Sequence, residues 1–316
     1  MNSVRVFVIG ADGQIARSLR EAALSAPDIV FGHSVRPGVD LLRPETVGPA
    51  MATFAPDLVV NAAAYTAVDR AESEPDLAFA INRDGAGAVA AAAARLGAPI
   101  VHLSTDYVFD GGKPTPYAEI DPTGPQSVYG RSKLAGEQAV AEVAPRHIVL
   151  RTSWVYAPFG GNFVRTMLRL ASTQERLRVV DDQIGCPTYA PDIAAAILSI
   201  GRGIAADGWR GEFAGVTHLA GPDPISWCGF ARKIVAEASR QGGRCVPVDG
   251  IATADYPTPA TRPANSRLAT GRLDGVFGVR MRPLATSLAD CRTPCESCCS
   301  SRGSIVIARN PPLSVW

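Results

Sequence analysis

The chain has 316 residues, enough for one large α/β unit or two coupled domains. With 47% hydrophobic residues, 19% charged residues and a formal net charge of +1, it reads as a globular protein without a field for nucleic acid or an anionic membrane. No apolar run of about 20 residues is present, so no membrane span is expected. The start, MNSVRVFVIG, enters a strand at once and leaves no room for a signal peptide, which makes a cytoplasmic location the expectation. Of seven cysteines, Cys186, Cys228 and Cys245 are scattered as buried thiols are in a reducing compartment.

Val4–Ile9 is a β-branched run ending at Gly10, the pattern of a buried parallel strand. Gly10-Ala-Asp-Gly13-Gln14-Ile15-Ala16 follows, then helical periodicity over residues 17–25. Strand, glycine turn and helix make the setting of a dinucleotide site. There Gly10 permits the tight turn, Gly13 lets backbone approach a pyrophosphate, and Ala16 allows close helix–strand packing. Further strands are predicted at Ile29–Ser34, 56–61, 99–104 and His147–Thr152, with an alanine-rich helix over 78–96 that carries Asn82. The strand at 56–61 ends in Ala62-Ala-Ala64-Tyr65-Thr66, small residues that let a cofactor pass over the sheet. The strand at 99–104 ends in Ser104-Thr105-Asp106-Tyr107, polar groups at the rim where such sheets bind ligands.

Ser127-Val-Tyr129-Gly-Arg-Ser-Lys133 opens the next helix. Four residues apart, the Tyr129 phenol and the Lys133 ammonium share one helix face. A cation beside a phenol favours the phenolate and eases proton movement at neutral pH, as a general acid acting on a carbonyl requires. Beyond it lie helices at 162–171, 188–200 and 227–239, an extended piece at 179–183, a strand at 217–220 and a Pro-rich stretch at 255–263. The alternation predicts an α/β fold, a Rossmann-type doubly wound parallel sheet over residues 1–155, to which 175–200 returns. Residues 156–174 and 201–290 are expected to form a smaller C-terminal α/β substrate-binding cap.

The segments GADGQIA, NAAAYTAVDRAESEP, STDYVFDG, PQSVYGRSKLAGE, RTSWVY, DDQIGCPT and RPANSRL, spread over residues 4–290, together resemble the extended short-chain dehydrogenase/reductase family. Within it they resemble the dTDP-4-dehydrorhamnose reductase branch. The resemblance implies reduction of the C4 ketone of dTDP-4-dehydro-β-L-rhamnose by a nicotinamide cofactor. It implies Tyr129 as proton donor, Lys133 on the nicotinamide ribose and lowering the Tyr129 pKa, and Thr105 on the C4 oxygen. It places Gly13, Gln14 and Ile15 under the pyrophosphate, Asp40 and Leu41 near the adenine, and Ala64, Tyr65 and Thr66 along the cofactor groove. Asp106, Trp154, Arg262 and Asn265 are the implied substrate contacts, with Trp154 offering a flat face to the deoxysugar. NADPH is the expected cofactor, NADH being accepted too, because no acid follows the second strand to hold a ribose 2′-hydroxyl while Arg36 is placed for a 2′-phosphate.

Two features depart from the branch. Some members dimerise around magnesium held by glutamates, one just after the glycine turn. Arg17-Ser18-Leu19-Arg20 stand there instead, so magnesium is not expected and a homodimer is left open. Residues 291–316 carry Cys291, Cys295, Cys298 and Cys299 without a second pair or a histidine to complete a zinc site. That tail is expected to be atypical, disordered and without function, from a shifted frame or an extended terminus. The alternatives are a reductase or epimerase of another nucleotide-linked sugar, and a non-catalytic regulatory subunit of methionine adenosyltransferase.

Overall fold

A computed structural model describes residues 3–10, 12–34, 36 and 38–291. The first half runs β1 (Val4–Ile9), α1 (Gln14–Leu24), β2 (Ile29–Ser34), α2 (Val47–Phe54), β3 (Leu58–Asn61), α3 (Val68–Ala71), α4 (Pro75–Phe79), a π-helical turn (Ala80–Gly85), α5 (Ala86–Arg95), β4 (Ile100–Thr105), α6 (Val128–Val143) and β5 (His147–Thr152). The second half runs β6 (Val155–Tyr156), α7 (Phe163–Thr173), β7 (Leu177–Val180), β8 (Ile184–Gly185), β9 (Thr188–Tyr189), α8 (Ala190–Asp207), β10 (Gly215–His218), β11 (Ile225–Ser226), α9 (Trp227–Arg240), β12 (Val248–Ile251), β13 (Asn265–Ser266), α10 (Gly271–Phe277) and α11 (Leu284–Asp290).

Parallel pairing orders the main sheet β10-β5-β4-β3-β1-β2, the doubly wound arrangement that the alternating pattern predicts. Its central strands are buried on both faces, which is why they read as unbroken apolar runs rather than alternating ones. On one face Val6, Val8, Val60 and Ile148 pack with Leu19 of α1 and Ile193 and Ile197 of α8. On the other, Phe7, Val59 and Ile100 pack with Met51 of α2, Val89 of α5 and Val140 of α6. The strand order reverses between β1 and β3, and the crevice at the carboxyl ends there is where such sheets take their ligands.

The predicted strand at 217–220 does form, but not in the cap. Gly215–His218 is the outer strand of the main sheet, beside β5. The helix before it, α8, buries its apolar face against the β1 side of the sheet, so residues 201–218 belong with the sheet rather than with the cap. The predicted helix 78–96 instead begins at Pro75 and is broken by the π-helical turn. The cap is built from β7 paired with β12, the small sheet β11-β8-β13, and α7, α9 and α11, so of the stretch 175–200 expected to return to the main sheet only α8 does so, while β7 and β8 pair within the cap. Tyr156, Phe163, Met167, Leu177, Phe230 and Leu288 make its core. Among the described residues no helix is long and apolar enough to cross a membrane. Cys295, Cys298 and Cys299, with the whole tail from 292, lie outside the described residues.

Candidate active site

The crevice starts at Gly10, whose φ of 96° lies in the left-handed region that glycine tolerates. A Cβ there would also sit 2.9 Å from the backbone of Ala63, so β1 and the loop after β3 can approach this closely only through glycine. Gly13 caps α1 with no side chain of its own and faces open space. The first N–H groups of α1 are therefore offered outward, as an anion requires. The Gln14 Oε1 accepts a hydrogen bond from Asn162 Nδ2 at 2.9 Å, so this part of the turn faces the cap. Gln14, Thr66, Trp154 and Asn162 line one cleft together. Leu41 is buried, and Gly85 makes room for it, since a Cβ at 85 would lie 2.7 Å from the Leu41 Cβ. Asp40 turns its carboxylate back on its own loop, accepting from the Leu42 N–H at 3.1 Å. Arg36 stands exposed in the turn after β2.

Thr105 ends β4 and caps the short turn that follows, accepting from the Tyr107 N–H at 3.2 Å and donating to Asp106 Oδ1 at 3.0 Å. Tyr129 lies in the first turn of α6 within hydrogen-bonding reach of Thr105, and Tyr107 packs edge-on against it with centroids 5.5 Å apart. Burial raises the Tyr129 pKa, and the hydrogen bond with Thr105 offsets this only in part. Lys133 shares the sheet-facing side of α6 but donates to the Leu103 carbonyl at 2.7 Å. Burial lowers its pKa to about 8, while Glu137 one turn on pulls it upward. The expected lowering of the phenol by the ammonium is thus not what this structure shows. The four-residue offset aligns the two groups, but the sheet carbonyl holds the ammonium and desolvation governs the phenol.

The position of α6 is fixed by contacts along its first half and middle. Glu72 Oε1 accepts the Val128 N–H at 2.7 Å, and Ser127 caps the helix by accepting from Gly130 at 3.1 Å. Asn82, buried in the π-helical turn, accepts the Tyr65 N–H at 2.8 Å and donates to the Ser132 hydroxyl at 2.9 Å. Ser132 in turn donates to the Tyr129 carbonyl at 2.8 Å, so one amide ties the groove beside Tyr65 to the helix carrying the phenol. Beneath Lys133, Glu137 accepts from Nε and Nη2 of Arg151, at 2.9 and 2.6 Å, and from the Ser104 hydroxyl at 2.5 Å.

Asp106 is buried beside Thr105, and burial pushes its pKa up to about 6 against hydrogen bonds from Ser266 and Thr105. A carboxyl raised on folding stays protonated in the folded chain while the unfolded chain has already ionised. Stability contributed by this group therefore falls as pH rises from about 4, the ordinary aspartate value, to about 6. Asp106→Asn should remove that decline, which urea unfolding of both proteins across this pH range would read.

On the cap side, Arg262 donates to Asp69 Oδ2 at 2.8 Å, and its other arm, Nη1, is buried with no protein partner. Arg262, Tyr107, Arg178, Gln183, Tyr256 and Trp227 line a second cavity. Asn265 does not reach it. Its Nδ2 donates to the carbonyls of Lys113 and Thr115, at 2.6 and 2.8 Å, and its Oδ1 accepts from Arg267, so its amide staples two loops together. Trp154 does border the crevice, but its ring is stacked on Trp227 with centroids 3.4 Å apart and planes 9° apart.

Residues 4–296 match the family model described as the RmlD substrate binding domain. The chain belongs to this family. The dTDP-4-dehydrorhamnose reductase of Sinorhizobium fredii is 51% identical to it over 278 residues, 88% of this chain and 93% of the relative. A crystal structure of a dTDP-4-dehydrorhamnose reductase from Clostridium acetobutylicum superposes with a TM-score of 0.83 at 35% identity, covering 91% of this chain and 98% of the other. The Bacillus anthracis enzyme, solved in complex with NADP, matches with the same TM-score, identity and coverage. As a member of the family, the chain draws Gly10, Gly13, Gln14, Thr66, Thr105, Tyr129 and Lys133 to the carboxyl ends of β1, β3 and β4. Tyr107 stands at the rim that the sequence picked out, whereas sequence reasoning missed Asp69 and Trp227. Each is an ordinary core or surface residue by pattern, and only the folding of α3 and α9 toward the crevice brings them together.

Proposed function

We propose that this protein reduces the C4 ketone of dTDP-4-dehydro-β-L-rhamnose to the alcohol of dTDP-L-rhamnose, using NADPH. The observation that carries the reading is the convergence of Thr105, Tyr129 and Lys133 beside the open glycine turn. The turn fits a dinucleotide: Gly13 leaves its backbone uncovered, and no side chain caps α1. Gly10, Gly13, Gln14 and Ile15 would hold the pyrophosphate, Asp40 and Leu41 the adenine end, and Ala64, Tyr65, Thr66 and Lys133 the nicotinamide half. The reduced nicotinamide supplies the hydride. Tyr129, kept protonated by its buried setting, delivers the proton to the C4 oxygen. Thr105 hydrogen-bonds the same oxygen and steadies the charge that develops on it. Arg262, with one arm unpartnered, is suited to the diphosphate, and Asp106, with one carboxyl oxygen unpartnered, to the sugar, while Trp154 could meet the sugar only once Trp227 leaves its face.

The direct test is NADPH oxidation by the full chain with enzymatically generated dTDP-4-dehydro-L-rhamnose, with dTDP-L-rhamnose as the product recovered. Cofactor-binding protein that leaves this ketone untouched would overturn the assignment. Arg36 is the residue on which the NADPH preference is expected to rest. Arg36→Ala should raise KM for NADPH roughly fivefold, the scale of one exposed charge–phosphate contact, and leave KM for NADH unchanged.

A further inference from the structure

Trp154 is held in an unusual way. Its φ of 49° is a left-handed conformation that residues with a β-carbon avoid, so the chain bends sharply as it leaves β5. Gly185 of β8 lies against one face of its ring. A Cβ at 185 would sit 2.3 Å from Cε2 and 2.6 and 2.7 Å from the flanking Nε1 and Cζ2, distances that put it above the ring plane rather than at the edge. Trp227, the first residue of α9, covers the opposite face. Both faces of Trp154 are therefore occupied, and the flat surface expected for a deoxysugar is not available in this arrangement.

The contact between the two indoles is itself a poor one, although Trp227 also packs on Phe163. Aromatic rings prefer offset or edge-on contact with centroids about 4.5–7 Å apart, because their negative faces repel in full overlap. The Trp154–Trp227 pair is nearly parallel at 3.4 Å. The C–H face of a deoxyhexose carries the opposite polarity to an indole face, so it makes the better partner for either ring. Trp227 also stands where the two cavities adjoin: it lines the cleft of Gln14, Thr66 and Asn162 and the cavity of Arg178, Gln183 and Arg262. A nucleotide sugar that spans both cavities, as the substrate reading requires, would lie against this indole.

We infer that Trp227 is a specificity-determining residue, displaced from Trp154 by the incoming 6-deoxyhexose and then packed against the sugar's C–H face. The inference rests on the nucleotide-sugar reading above. A hexose that keeps its 6-hydroxyl presents a less apolar edge and would part the pair less readily.

Two stacked indoles give an exciton couplet in circular dichroism, and Trp227→Phe identifies it by abolishing it. The wild-type protein is titrated with dTDP-L-rhamnose and, separately, with dTDP, with binding of each followed by calorimetry. The couplet is expected to vanish with dTDP-L-rhamnose and to persist with dTDP. Trp227→Phe should raise KM for the nucleotide sugar roughly tenfold and change KM for NADPH much less, a split that loosening of the cap as a whole would not give. A couplet that survives saturation with dTDP-L-rhamnose overturns the role of Trp227 while the substrate reading stands. Failure of both nucleotides to bind the wild type overturns the substrate reading and this inference with it.

Discussion

Tyr129→Phe is expected to lower the rate of ketone reduction by roughly a hundred- to ten-thousandfold, the usual worth of a positioned general acid. The change removes one oxygen from a site whose packing is otherwise kept: the ring stays edge-on to Tyr107 and in the cluster with Val68, Ala71 and Val128. NADPH affinity should change little by comparison, because the glycine turn and Lys133 are untouched. The pH profile carries the sharper information. Burial raises the Tyr129 phenol and lowers the Lys133 ammonium to about 8, so the first loss of rate on the alkaline side should follow Lys133, not Tyr129. Steady-state rates of wild type and variant between neutral and mildly alkaline pH would check both statements. A variant with undiminished turnover would remove Tyr129 from the chemistry.

Glu137→Ala is expected to cost about 3–5 kcal/mol of stability, the range for removing one partner of a buried ion pair. Glu137 and Arg151 are 5% and 3% exposed, and Lys133 is 2% exposed one helical turn away. With the carboxylate gone, two cations remain under the sheet with nothing to neutralise them. The Ser104 hydroxyl loses its acceptor as well. The double change Glu137→Leu with Arg151→Met should recover much of the loss, since an apolar pair of similar volume replaces the ions without leaving an orphan. Urea unfolding of the single and double variants tests this. Equal destabilisation in both would mean that packing volume, and not the unpaired charge, sets the cost.

The strands were the most legible part of the chain. Val4–Ile9 and His147–Thr152 form as predicted because parallel strands buried on both faces leave an apolar signature that needs no tertiary knowledge. The helix predicted over 78–96 was less so. Its alanines favour helix throughout, but Asn82 must reach both Tyr65 and Ser132, and a π-helical turn provides that reach. At position 136 only glycine fits, since a Cβ would come within 2.0 Å of the Asn82 carbonyl, a contact between helices that no local pattern records. Strand 215–218 was recognisable as a strand but not as a member of the main sheet, because which edge a late strand joins depends on α8 docking against α1. The site divides the same way. Thr105, Tyr129 and Lys133 stand in motifs with their own spacing. The facing of Trp227 onto Trp154, and the engagement of Asn265 by loop carbonyls, are settled by how the cap folds back.

The Asp69–Arg262 pair has a thermodynamic consequence. A free arginine side chain has about 2 kcal/mol of rotamer entropy to lose when it is fixed on a ligand. Here Asp69, on α3 beside the sheet, has already immobilised the guanidinium, with only 7% of the Arg262 side chain exposed. On the proposed substrate reading, a diphosphate arriving at Nη1 would meet a fork whose orientation was set when the chain folded, so ordering of this arginine would add little to the entropic cost of association.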